Sequence, residues 1–318
     1  MNTENWISAN IPFMDAKKVI VTGANSGVGF ETTRIFAEKG AHVVMACRSM
    51  ERGREAKEKI EDGALEGSLE LRKLDLASLD SVKDFAEEYK ANHGELDILC
   101  NNAGIMGVPF ERTEDGFEKH FGVNHLGHFA LTGELLDLLV ETDGESRVVT
   151  QSSALHKNGR ADIEEIIKLS DEEDYSPQQA YADSKLANIL FAFELDRKLK
   201  EKNLSVESIA CHPGFSATNL QNTEENENSF FRDIGMKIAK KILAQSPEKG
   251  SLPMVYAAGS GKLSGGEYIG PGGLMNMRGL PEKQEVSESG RDQDSAERLW
   301  TVSKDLTDTD YEILNEDA

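Results

Sequence analysis

The amino-acid sequence predicts an α/β protein: a single doubly wound domain, residues 1–318, with about seven parallel strands flanked by helices. Three observations predict it. Short apolar runs alternate with longer amphipathic runs along most of the chain. The first apolar run ends in a glycine-spaced turn that opens a helix. No internal repeat and no long linker breaks the alternation. Such a pattern means parallel strands joined by crossover helices, which are right-handed almost without exception.

The elements follow in order. VIVTG (19–23) is a strand that ends on Gly23, and residues 27–39 form a helix stopped by Gly40. HVVMAC (42–47) is the second strand, 51–62 a charged exposed helix, and LELRKL (69–74) the third strand. Ser78 opens a helix to about Lys90, and LDILCNNAG (96–104) is a fourth strand with its loop. A long helical region fills roughly 114–141, and RVVTQSS (147–153) is the fifth strand. The regularity breaks at 156–176, an acidic insert ending in DEEDYSP. A helix at about 178–202 leads to SVESIAC (205–211), the sixth strand. After the polar run QNTEENENS come the amphipathic FFRDIGMKIAKKIL, a helix at 248–258, a seventh strand GEYIG (266–270) and a last helix at 293–303.

The chain carries 57 acidic against 35 basic residues, a net charge of −22. A field of that sign repels nucleic acid and anionic lipid headgroups, so neither is expected as a partner. Any bound anion therefore needs local donors and local positive charge. Cys47, Cys100 and Cys211 are three, with no short spacing, which argues against disulfides or a zinc site and for buried free thiols in a reducing compartment. The N-terminus lacks a basic segment followed by an apolar run, and no stretch reaches the ~18–20 apolar residues of a membrane span. A cytoplasmic protein without a membrane span is expected.

The first strand enters Thr22-Gly23-Ala24-Asn25-Ser26-Gly27-Val28-Gly29. Glycines at a strand-to-helix turn let the backbone approach a pyrophosphate, and the helix N-terminus offers free N–H groups to it. This TGxxxGxG spacing, in a Rossmann-type context, resembles that of the short-chain dehydrogenase/reductase family, and the resemblance extends over nearly the whole length. It implies that Gly23, Asn25, Ser26, Gly27, Val28 and Gly29 cradle a nicotinamide dinucleotide. At the end of the second strand, where an acidic residue would take the ribose 2′-hydroxyl, stands Cys47-Arg48-Ser49. Arg48, helped by Ser49 and by Arg52 from the next turn, suits a 2′-phosphate, so NADP(H) is expected ahead of NAD(H). The resemblance also implies that Asp75 and Leu76 contact the adenine, and that Asn102, Ala103 and Gly104 of the NNAG element line the cofactor. It implies the same for Pro213, Gly214 and Thr218 of a PGxxxT element beside the nicotinamide.

Tyr181 and Lys185 stand four residues apart, so on a helix both tips reach one site. A phenol titrates near ~10, and a neighbouring ammonium is expected to lower that value toward acid/base use. By the resemblance Ser153 orients the substrate oxygen, with Ser152 the competing choice, and Asn124 holds a water that relays protons to Lys185. Ser153 and Tyr181 are 28 residues apart, and the insert that separates them resembles the branch with retinol dehydrogenases and protochlorophyllide reductases. His125, His128 and His156 have no metal-ligand neighbourhood, so no metal is expected. A nucleophile elbow, GxSxG, is absent around Ser152 and Ser153, which disfavours a hydrolase.

These features predict an NADP(H)-dependent oxidoreductase that interconverts a carbonyl and an alcohol, with Tyr181 as general acid/base. The expected substrate is a small apolar carbonyl or alcohol, met by a loop near 219–247 and a C-terminal segment 271–318. Homo-oligomers are common in the family and are a candidate state here. Two alternatives are a dinucleotide-binding regulator without turnover and a C=C reductase resembling protochlorophyllide reductase.

Overall fold

A computed structural model describes residues 2–160, 162, 175–214, 245–273 and 276–315. One eight-stranded sheet runs through it: β1 (Lys18–Thr22), β2 (His42–Cys47), β3 (Ser68–Lys73), β4 (Ile98–Asn101), β5 (Ser146–Gln151), β6 (Val206–Cys211), β7 (Tyr268–Pro271) and β8 (Pro281–Lys283). Their spatial order is β3-β2-β1-β4-β5-β6-β7-β8. The first seven are parallel and β8 joins antiparallel to β7. The seven expected strands are therefore present, each within about two residues of its expected ends. β8 was not expected. Three residues beginning with proline carry no strand signal, and only a short return from β7 brings them to the edge.

β1, β2, β4 and β5 are buried along nearly their whole length because both faces of the sheet are covered there. Side chains alternate along a strand. Val19, Val21, Val43 and Met45 point into one layer with Ile35, Phe36, Leu252 and Val255. Ile20, Val44 and Leu99 point into the other with Phe85, Phe129, Phe191 and Trp300. The first layer holds α1 (Thr3–Asn10) and α2 (Gly27–Glu38); α3 (Met50–Glu61) follows β2 and α4 (Leu79–Asn92) follows β3. α1 was also not anticipated; Trp6 docks it edge-on against Tyr256, ring centroids 5.4 Å apart.

The helical region expected at 114–141 begins later. Residues 102–118 are irregular, and the helix is α5 (Lys119–Phe121), a π-helical turn (Gly122–Leu126) and α6 (Gly127–Glu141). α7 (Pro177–Glu201) starts behind a Ser176 cap with proline in its first turn, and α8 (Pro247–Gly259) has the same device at Ser246. α9 (Gln293–Thr307) and α10 (Glu312–Asn315) close the chain. Trp300 packs against Phe129 at 5.2 Å and Phe191 at 6.0 Å. This half of the segment expected on the substrate side thus completes the core over α6 and α7. Residues 219–244 of the expected substrate loop lie outside the described residues.

Candidate active site

In this strand order the winding of the sheet switches sides between β1 and β4, and the crevice beyond their C-terminal ends is where open α/β sheets bind ligands. A cleft of about 390 Å³ lies there. Gly23, Asn25, Ser26, Gly27, Val28 and Gly29 border it, with Arg48, Ser49, Asp75, Leu76, Asn102, Ala103, Gly104, Tyr181, Lys185 and Pro213. Residues from six separate loops and helices that the sequence singled out are thus brought to one surface.

The glycine turn is shaped by close approach. Gly23 has φ +67°, and a Cβ at Gly29 would stand 2.4 Å from both Asn102 Nδ2 and the Gly23 carbonyl oxygen. Only hydrogen fits there. The Ser26 cap of α2 makes no side-chain hydrogen bond to the helix, so first-turn N–H groups remain available to an anion at the cleft.

The turn is stitched to the loop after β4. Thr22 Oγ1 accepts from the Asn102 and Ala103 N–H groups, each at 2.9 Å, and Asn102 Nδ2 donates to the Thr22 carbonyl at 2.7 Å. Thr22 Oγ1 also meets His128 Nε2 at 2.9 Å, and His128 Nδ1 meets the Asn124 carbonyl at 3.0 Å. Burial pushes His128 down to about 4, so it is a neutral structural link. Thr22, Ile105, Met106, Val123 and Gln151 also line the cleft but were not anticipated as site residues. The TG of TGxxxGxG was the available signal for Thr22; the others carry no motif.

Arg48 and Arg52 border the cleft beyond β2, and among the described residues neither is paired with a carboxylate. Two unpaired guanidinium groups are conspicuous in so acidic a chain. Ser49 caps α3 through the Arg52 N–H at 3.4 Å. Asp75 Oδ1 accepts from the Ala77 N–H at 3.0 Å, which turns the chain into α4.

Tyr181 and Lys185 share the buried face of α7. Lys185 Nζ donates to the Gln151 carbonyl at 3.0 Å and lies 5.8 Å from the centre of the Tyr181 ring. Burial holds Lys185 down at about 8. Burial also raises the Tyr181 phenol, opposed by a hydrogen bond with Ser153. The expected lowering of Tyr181 by the Lys185 ammonium is not among the causes of its shift; burial of the phenol is the largest.

The two candidate serines differ in their partners. Ser152 borders the cleft, but its hydroxyl donates to the Lys185 carbonyl at 2.6 Å. Ser153 is the one bonded to Tyr181 and also accepts from the Leu155 N–H at 3.2 Å. Asn124 sits behind the cleft on the π-helical turn. Its Oδ1 accepts from the Ile105 N–H at 2.8 Å, and its Nδ2 donates to the Ile105 carbonyl at 3.0 Å and to Ser184 at 2.9 Å. Its side chain therefore clamps the loop over Gly104, where a Cβ would stand 3.2 Å from both Asn124 Oδ1 and Lys185 Nζ. Gly214, φ +68°, is packed beside Met277 and does not border the cleft. Thr218 lies outside the described residues.

The sequence model of the family described as short chain dehydrogenase matches residues 17–229. The chain belongs to the short-chain dehydrogenase family. Within it, human retinol dehydrogenase 13 is similar, with 38% identity over 300 residues, 94% of this chain and 86% of that protein. Among solved structures, an uncharacterized protein from Mycobacterium paratuberculosis superposes with a TM-score of 0.77 at 37% identity, covering 95% of this chain and 97% of that one. A Beutenbergia cavernae protein titled NAD(P)-dependent gluconate 5-dehydrogenase, with NADP bound at low occupancy, gives 0.58 at 26% identity, covering 78% and 92%. These likenesses place the chain in the retinol dehydrogenase-like branch and make it an oxidoreductase acting between carbonyl and alcohol. The three cysteines are free and buried. No helix among the described residues is long and apolar enough to cross a membrane.

Proposed function

We propose that this short-chain dehydrogenase uses NADP(H) and reduces an apolar aldehyde or ketone, with the reverse oxidation of the alcohol favoured at higher pH. One observation carries the reading. Tyr181, bonded to Ser153 and backed by Lys185, opens onto the same cleft as the unpaired Arg48 and Arg52. β2, which precedes Arg48, and β5, which precedes Ser153, are separated by β1 and β4. Three strand spacings of about 4.8 Å put them about 14 Å apart, a span suited to an extended dinucleotide.

The fit to such a cofactor rests on the glycine turn that excludes a Cβ at Gly29, the free N–H groups of α2 and the two guanidinium groups. When bound, the dinucleotide supplies or accepts the hydride. The Gly23–Gly29 turn and α2 would hold its pyrophosphate, Asp75 and Leu76 would border the adenine, and Arg48 with Arg52 would face a 2′-phosphate. Ser153 would orient the substrate oxygen. A buried, raised phenol is neutral at pH 7, so Tyr181 is placed to give its proton to the oxygen of a carbonyl under reduction. Lys185, charged below about 8, favours the phenolate left behind. Asn124 acts by holding the Ile105 loop and Ser184 in place. Ile105, Met106 and Val123 give the cleft an apolar wall, in keeping with the retinoid alcohol in the relative's name.

The test is NADPH oxidation with a panel of apolar aldehydes and ketones, for the natural chain and Tyr181→Phe. Loss of at least about 100-fold in turnover, the lower range for a positioned acid, with NADPH binding retained, is expected. Full turnover by Tyr181→Phe would sink the mechanism.

A further inference from the structure

A second cluster of ligand-bearing side chains lies at the opposite end of the sheet. His42 begins β2, Glu70 lies in β3, and His93 caps the C-terminus of α4. One ligand atom from each lies within 4.8 Å of those from the other two. His42 Nε2 is 3.3 Å from Glu70 Oε2, and His93 Nε2 is 3.0 Å from the same oxygen. Tetrahedral zinc, with bonds of about 2.0–2.2 Å, sets its ligand atoms about 3.4 Å apart. Two of the three edges are already close to that figure.

The ligands are held from behind. His42 Nδ1 is 2.7 Å from Ser68 Oγ; when it donates there, Nε2 presents its lone pair. The ladder sets this up, because His42 is paired with Ser68, and Glu70 lies two residues on, on the same face. The His93 ring lies 4.6 Å from that of Tyr89, and the His93 backbone N–H donates to the Tyr89 carbonyl at 2.8 Å, which fixes the residue at the end of α4. Arg72 engages the other Glu70 oxygen, Oε1, and leaves Oε2 to the two imidazoles. Lys18 lies close enough to His42 for its charge to act on the ring. The C-terminus of a 14-residue helix favours a cation, as does the overall charge of −22, whereas Arg72 and Lys18 oppose one. Side-chain exposures of 22%, 28% and 14% leave one open side for a water as fourth ligand.

We propose that His42, Glu70 and His93 bind one divalent transition-metal ion, zinc by ligand type, which ties β2, β3 and the end of α4 together. The ion is structural. His42 stands five residues before Cys47, about 17 Å along the strand from the cleft end.

Co2+ is the first probe, because its visible absorption reports tetrahedral coordination. The full chain, stripped with chelator, is titrated with Co2+ and then with Zn2+ in competition. One equivalent is expected to bind, at least about tenfold more weakly in His42→Gln and in His93→Gln, with NADPH binding unchanged. Absence of saturable binding, or equal affinity in both variants, overturns the proposal. A second measurement needs no variant: histidine acylation of the natural chain, read by mass spectrometry. Zn2+ is expected to protect His42 and His93; equal labelling with and without Zn2+ overturns the proposal.

Discussion

Lys185→Met should abolish turnover and yet stabilise the fold at neutral pH. Lys185 is 3% exposed, and burial brings it from 10.5 to about 8. At about 1.4 kcal/mol per pH unit, that displacement corresponds to about 3 kcal/mol of destabilisation whenever the amine is charged. Methionine matches the stem without the charge. The substitution loses one hydrogen bond to the Gln151 carbonyl, about 1 kcal/mol. That carbonyl keeps Asn188 Nδ2 at 3.0 Å and is not orphaned. The variant should therefore be more stable by about 1–2 kcal/mol at pH 7. The sign with pH follows from proton uptake. The folded value lies below the unfolded one, so between about 8 and 10.5 the unfolded chain binds the extra proton. The natural chain accordingly gains stability as pH rises through that window, and the gap to Lys185→Met closes. Urea unfolding followed by the fluorescence of buried Trp6 and Trp300, at pH 7 and near 10.5, measures both. A less stable variant at pH 7, or a gap that stays constant with pH, would refute the reasoning.

Three further outcomes are expected. Arg48→Ala should raise the KM for NADPH about 10–100-fold and leave that for NADH unchanged, since one charge-assisted hydrogen bond is worth about 1.5–3 kcal/mol; steady-state kinetics with both cofactors decide this. Gly29→Ala should lose dinucleotide binding in calorimetry, because its Cβ would sit 2.4 Å from the Gly23 carbonyl oxygen and force the turn open. Arg147→Met should cost about 3 kcal/mol in urea unfolding. Its buried guanidinium donates to the carbonyls of Ala257, Ser260 and Leu263, and these would be left without it.

Much of the fold was legible because its signals are local. Strands buried on both faces read as apolar runs, and Ser78 announces the helix it caps. The glycine turn was legible because a close backbone approach admits only one residue type. Tyr181 and Lys185 were legible as a pair because four residues bring side chains to one helix face. Other features have no local signature. The π-helical turn that aims Asn124 inward looks like ordinary helix in sequence, and β8 is a strand only because β7 offers it an edge. The different partners of Ser152 and Ser153 arise because the Lys185 carbonyl captures the Ser152 hydroxyl. The direction in which Tyr181 is shifted depends on how completely other elements enclose it, and not on its neighbour four residues away. His42, Glu70 and His93 are separated by 28 and 23 residues, and only the pairing of β2 with β3 and the length of α4 make them neighbours. Residue type and periodicity are properties of short segments, so the chain carries them openly. Desolvation and convergence of distant side chains are properties of packing, and they exist only once the sheet has assembled.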